Sequence, residues 1–139
     1  MRDITNRLHV KPAFAPKAAV TDNTAQVSTS CDTKGYDSCM LAFITGANAD
    51  ADVTYTVLIE DSNDDSTYAA VDDAYLNGTE ALAGFQYDDD GEVRKIGYCG
   101  PKRYVRATIT PANNTGNVFI AGTWVLGHPS RQPTANPPQ

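Results

Sequence analysis

DVTYTVLIE, residues 52–60, decides the fold. Val53, Tyr55, Val57 and Ile59 fall on one side of an extended chain, and Asp52, Thr54, Thr56 and Glu60 on the other, with Leu58 the exception. Side chains of a strand alternate between faces, so this two-residue period describes a β-strand with one buried face. RYVRATIT (103–110) repeats the pattern, with Val105, Ala107 and Ile109 inward and Arg106 and Thr108 outward. CMLAFIT (39–45) and VFIAGTWVL (118–126) are short, apolar and rich in β-formers, as buried sandwich strands would be. Weaker strand candidates lie at 25–31, 67–71, 80–87 and 92–98. No stretch holds an amphipathic helical period over three turns.

Turn chemistry separates these runs. DTKGYD and GANADAD fall between the early ones, Gly100-Pro101 and Asn114 to Gly116 between the late ones. Asp90-Gly91, between 80–87 and 92–98, predicts a β-hairpin. Short strands at regular spacing, joined by turns, predict an all-β, antiparallel β-sandwich, jelly-roll-like, over residues 21–128. A chain of 139 residues with 41% hydrophobic and 20% charged content suits one globular domain.

The ends differ from this body. HPSRQPTANPPQ is too proline-rich for regular structure, so residues 129–139 read as a tail. Residues 1–20 read as an extended arm with spaced apolar anchors, Leu8 and Phe14 foremost. Such an arm needs a groove, on its own domain or on a neighbour by strand addition. Burying a few anchors gains about 0.8 kcal/mol per CH₂, against ~1–2 kcal/mol per ordered residue, so Leu8 and Phe14 are the candidate assembly contacts. The arm has no apolar run of the secretion-signal kind, which predicts synthesis and retention in a cytoplasm. No run approaches a membrane span.

The net charge of −6 is unevenly spread. No basic residue stands between Lys34 and Arg94, and no acidic one follows Glu92. The acidic middle would repel phosphate, so nucleic acid is not an expected partner. The segregation instead suggests association with other copies of the chain or with a complementary protein surface. Cys31, Cys39 and Cys99 lack metal or disulfide-framework spacing and are expected to be reduced, with a Cys31–Cys39 bridge the minority alternative.

DSNDDSTYAAVD (61–72) aligns Asp61, Asn63, Asp65 and Asp72 with positions one, three, five and twelve of a calcium loop. Ser66 occupies the position that requires glycine, Asp72 replaces the bidentate glutamate, and the flanks are strand-like rather than helical. The run is therefore expected to be a hairpin loop, with no metal and no cofactor. Catalysis is not expected either. His9 and His128 lie in the extended ends, where neither can be held between a nucleophile and a carboxylate. Tyr36, Tyr68, Tyr75, Tyr87, Tyr98 and Trp124 leave open a carbohydrate-binding module, although tyrosines alternating in strands more often pack at half-buried positions.

Two longer stretches carry a resemblance. VTDNTAQVST, KGYDS and AFITGANADADVTYTVLIEDSNDDSTYAAVDDAYLNGTEAL, followed by DDDGEVRKIGYCGPKRYVRATITPANNTG, resemble a family of small capsid-associated proteins of tailed bacteriophages and prophages. The similarity runs from about Val20 to His128. It implies a head decoration or cement protein: a compact β domain bound to the major capsid protein on the capsid surface, clustered as a homotrimer, with arms along the shell. A tail-tube or head–tail joining protein is the alternative within a virion. Cys31, Cys39 and Cys99 stand where ordinary apolar residues are expected in that pattern.

Overall fold

The computed structural model describes residues 2–138. Eleven strands follow in order: β1 (His9–Phe14), β2 (Gln26–Val27), β3 (Cys31–Asp32), β4 (Tyr36–Thr45), β5 (Thr54–Ser62), β6 (Ala69–Ala70), β7 (Leu76–Asn77), β8 (Phe85–Gln86), β9 (Val93–Tyr98), β10 (Tyr104–Ala112) and β11 (Ile120–Pro129). A 3₁₀ turn (Asp73–Tyr75) and one helical turn, α1 (Glu80–Ala83), interrupt them. The front sheet has the order β1-β11-β4-β9-β7. The back sheet runs β2-β10-β5-β6, with β3 also on β10 and β8 also on β5. All pairings are antiparallel. From β3 to β4, β4 to β5, β9 to β10 and β10 to β11 the chain crosses between sheets, the winding of a jelly roll.

The core lies between the sheets and uses the inward residues that the alternation predicts. Val53, Tyr55, Val57 and Ile59 are buried, as are Val105, Ala107 and Ile109. Leu41, Phe43, Ile96, Trp124 and Leu126 face them from the front sheet. Phe85 stacks on Tyr55 with ring centroids 4.2 Å apart. The Trp124 indole N–H donates to the Thr29 carbonyl at 2.9 Å, so the buried ring keeps its polar atom satisfied. Gly122 sits opposite Phe43, where a β-carbon would lie 2.7 Å from that side chain's own Cβ.

Several expectations need correction. Residues 80–87 are not one strand. Thr79 caps α1 by accepting from the Leu82 N–H, and only Phe85–Gln86 is extended. The Glu80 carboxylate then accepts from the Ile59 N–H at 2.6 Å, supplying β5 with a partner at its edge. The hairpin at Asp90-Gly91 does not form either, because β8 pairs with β5 in the back sheet while β9 pairs with β4 and β7 in the front. What drives this is Phe85, which buries against Tyr55 and Phe43 rather than beside β9. The segment 25–31 breaks into β2 and β3, both paired to β10.

The arm is shorter than residues 1–20. His9–Phe14 pairs with β11 in the chain's own front sheet, Val10 opposite Val125 and Lys11 opposite Trp124. The groove it fills belongs to its own domain. The tail beyond Pro129 has no regular structure, yet it is held: Thr134 N–H donates to the Asn6 carbonyl at 3.1 Å and its hydroxyl lies within reach of the Thr5 and Leu8 carbonyls.

Candidate interaction surface

The two outer faces of the sandwich differ in chemistry. On the back sheet the outward residues of β5 and β10 include Thr56, Glu60, Arg106, Thr108 and Thr110, with the exposed Leu58 and Val27 flanking Thr108. Arg106 clamps Glu60 with two hydrogen bonds, at 3.0 and 3.3 Å, Thr108 adds a third at 3.2 Å, and the guanidinium lies 4.0 Å over the Tyr68 ring. This face satisfies its own polar groups and presents a solvated surface.

The front sheet's outer face is apolar. Register aligns Val10 with Val125, Val125 with Met40, Ala121 with Ile44 and Ile44 with Val93 across four neighbouring strands. Ile44 is 47% exposed, Val93 64% and Phe119, just before β11, 45%. A shallow depression of about 270 Å³ lies among Ala42, Ile44, Val93, Ala121 and Thr123. A second, of about 180 Å³, continues it past Phe119 to Pro16 and Lys17. A contiguous apolar patch on the exterior of a small domain is the usual mark of a surface that another protein covers.

The residues singled out in the sequence lie elsewhere. Phe14 is buried in its own core, so it is not free to anchor on a neighbour. Leu8 is half-buried, with a methyl group over Gly127 and its carbonyl bound by Thr134. From the same segment it is Ile4 and Val10 that stay exposed. The proposed sugar platform is not assembled: Trp124 and Tyr98 are buried, and Tyr68 is covered by Arg106.

The acidic run does not converge. Asp61 is 4% exposed and points inward, ion-paired to Lys102 at 2.7 Å and accepting from the Tyr98 hydroxyl at 3.0 Å. Asp64 instead accepts from the Ser66 and Thr67 amides and the Ser62 hydroxyl, which holds its carboxyl down to about 2. Asp65 takes the Tyr68 hydroxyl and Asp72 caps the 3₁₀ turn through the Ala74 N–H. Each carboxylate is committed to its own loop or core.

Part of the charge segregated along the chain is paired internally. Arg94 pairs with Asp89 and Glu92, Lys102 with Asp61, Arg103 with Asp32 and Arg106 with Glu60. The bidentate Arg103 guanidinium holds the Asp32 carboxyl down to about 2. These late basic residues thus find acidic partners within one molecule, while most carboxylates of the middle are left outside these ion pairs.

No family model and no curated protein matches the chain. Among solved structures it is similar to the PBSX exported protein XepA, at 14% identity and a TM-score of 0.53 over 85% of this chain and 36% of the other. It is also similar to the VP2 subviral particle of infectious bursal disease virus, at 10% identity and a TM-score of 0.54 over 89% of this chain and 32% of that one. The xylan-binding module CBM15 aligns over 93% of this chain and 95% of its own, at 11% identity and a TM-score of 0.46. The chain spans about a third of the XepA and VP2 chains. The likenesses to XepA and VP2 bear on the fold alone, and agree with a β-sandwich.

Proposed function

We propose that this chain is a structural component of a bacteriophage particle, a head decoration or cement protein that binds the outside of the shell and performs no chemistry. One observation carries the reading: an apolar patch around Ile44, Val93 and Phe119 on the front sheet, set against a back face whose charged residues pair with one another. A decoration protein needs such asymmetry, one side to dock on the major capsid protein and one to meet water. The same fold in a protein crystallised as a subviral particle supports the reading at the level of architecture. Phe14 drops out of the assembly contacts, and Ile44, Val93 and Phe119 take its place. A homotrimer at a symmetry axis is the favoured arrangement, because rings of copies let one small face meet several shell subunits.

The test is the copy number of the chain in purified, tail-free heads, combined with rebinding of an Ile44→Asp, Val93→Asp variant to heads stripped of it. Hundreds of copies per head, with rebinding by the native chain and at least tenfold weaker rebinding by the variant at unchanged melting temperature, are expected. Loss of the chain with the tails would make it a joining or tail-tube protein. Absence from particles altogether would overturn the virion assignment.

A further inference from the structure

Cys31 and Cys39 are buried in the core, 0% and 6% exposed, yet they belong to different sheets. Cys31 lies on β3, opposite Val105 of the back sheet; Cys39 lies on β4, between Leu126 and Tyr98 of the front. Only Thr33 to Gly35 separate the two strands, so the chain reverses between sheets in one short turn, with Gly35 at φ 89°. That crossover brings the two buried thiols to the same end of the core, close enough for each to perturb the other's ionisation. We propose that they are an oxidisable pair, closing to a Cys31–Cys39 disulfide that staples the two sheets when a disulfide oxidant such as oxidised glutathione is present.

The pathway is set by access. Cys39 borders a surface depression of about 100 Å³ that Tyr36, Asp37, Ser38, Tyr98 and Cys99 also line, whereas Cys31 is fully enclosed. The Cys39 thiolate attacks one sulfur of the oxidant, forming a mixed disulfide and releasing one thiolate. The Cys31 thiolate then attacks the Cys39 sulfur, and the second thiol leaves. Two protons and two electrons pass to the oxidant, which departs as two thiols. The neighbouring Cys31 and burial hold the Cys39 thiol above the usual range, so the first step is the slow one; once Cys39 carries the mixed disulfide, the nearby Lys11 ammonium still favours the Cys31 thiolate for the second. Cys99 is exposed and borders the same depression, so the Cys99→Ser variant separates a Cys31–Cys39 bond from one made through Cys99.

A bond closing a loop of about nine residues raises the melting temperature by about 5–10 °C for a chain of this size. The experiment incubates the reduced full chain in glutathione redox buffer, then maps peptides without reductant and records the melting curve. A Cys31–Cys39 cross-linked peptide two hydrogens lighter, with the upward shift, is expected in the native chain and in Cys99→Ser. Cys39→Ser should lose both. The pairing depends on no assembly partner, so it stands or falls separately from the virion role. Two free thiols at these positions in the strongly oxidising buffer would overturn it, as would pairing through Cys99; because both readouts are made on the native fold, a variant that fails to fold does not obscure the result.

Discussion

Replacing Tyr98 by phenylalanine removes one oxygen from the sandwich interior and tests the Asp61 cluster directly. The hydroxyl donates to Asp61 Oδ2 at 3.0 Å and accepts from the Lys102 N–H at 3.1 Å. The first bond goes to a charged acceptor, about 1.5–3 kcal/mol, and the second to a neutral donor, about 0.5–1.5 kcal/mol. Asp61 keeps Lys102 at 2.7 Å, so its charge stays compensated and the loss stops short of a stranded ion. The expected destabilisation is therefore ~2–4 kcal/mol. Urea unfolding reads it: with a slope of about 2 kcal/mol/M, the midpoint falls by about 1–2 M at unchanged slope. In an Asp61→Asn background the same change should cost at least ~1 kcal/mol less, since the charged bond is already gone. A Tyr98→Phe midpoint within about 0.2 M of the native one would refute the account and reduce the cluster to incidental geometry.

Three further outcomes follow from contacts described above. Gly122→Ala places a methyl group against Phe43 Cβ and the Ala42 carbonyl, 2.7 and 3.1 Å away, and should cost ~1–3 kcal/mol in the same unfolding assay. Arg103→Gln removes the clamp that lowers Asp32 from 3.8 to about 2. A depressed carboxyl stabilises above its unfolded value and loses that contribution as pH falls through the folded one, so the native chain should be slightly the more stable at pH 6, this pair being exposed, and the two should converge below pH 2. Thr134→Val removes the hydroxyl that reaches the Thr5 and Leu8 carbonyls while leaving the backbone bond to Asn6; limited proteolysis should cut residues 2–8 faster while the core resists, and equal cutting rates would exclude a holding role for the hydroxyl.

Much of the fold was legible in the alternation of β5 and β10, because a one-residue error there would send every apolar side chain to water. The rest depends on which sheet a segment joins, which local pattern does not encode. Phe85 illustrates this: Asp90-Gly91 is sound hairpin chemistry, but the ring's stacking on Tyr55 commits the preceding strand to the opposite sheet. The candidate surface was half visible. CMLAFIT lacks polar alternation, and from sequence that means burial on both sides; the structure covers Leu41 and Phe43 and leaves Ile44 bare. A run apolar on both faces is a signature of a covered exterior as much as of a deep core, and the covering can come from another molecule. Phe14 erred in the other direction, since an apolar residue in an unpatterned arm gives no sign that the arm is an edge strand.

The core's one indole has a practical consequence. Trp124 is the chain's single tryptophan, sits between β1 and β4 on β11, faces the core, and donates to Thr29 in the segment that leads from β2 to β3 of the back sheet. Its fluorescence therefore reports the closure of the two layers against each other, while backbone circular dichroism reports the strands within each. If the two signals melt together, stacking and pairing form as one cooperative unit; if the emission shifts first, the layers part while each remains paired. The molecule thus carries its own optical gauge of the step at which the jelly roll comes apart.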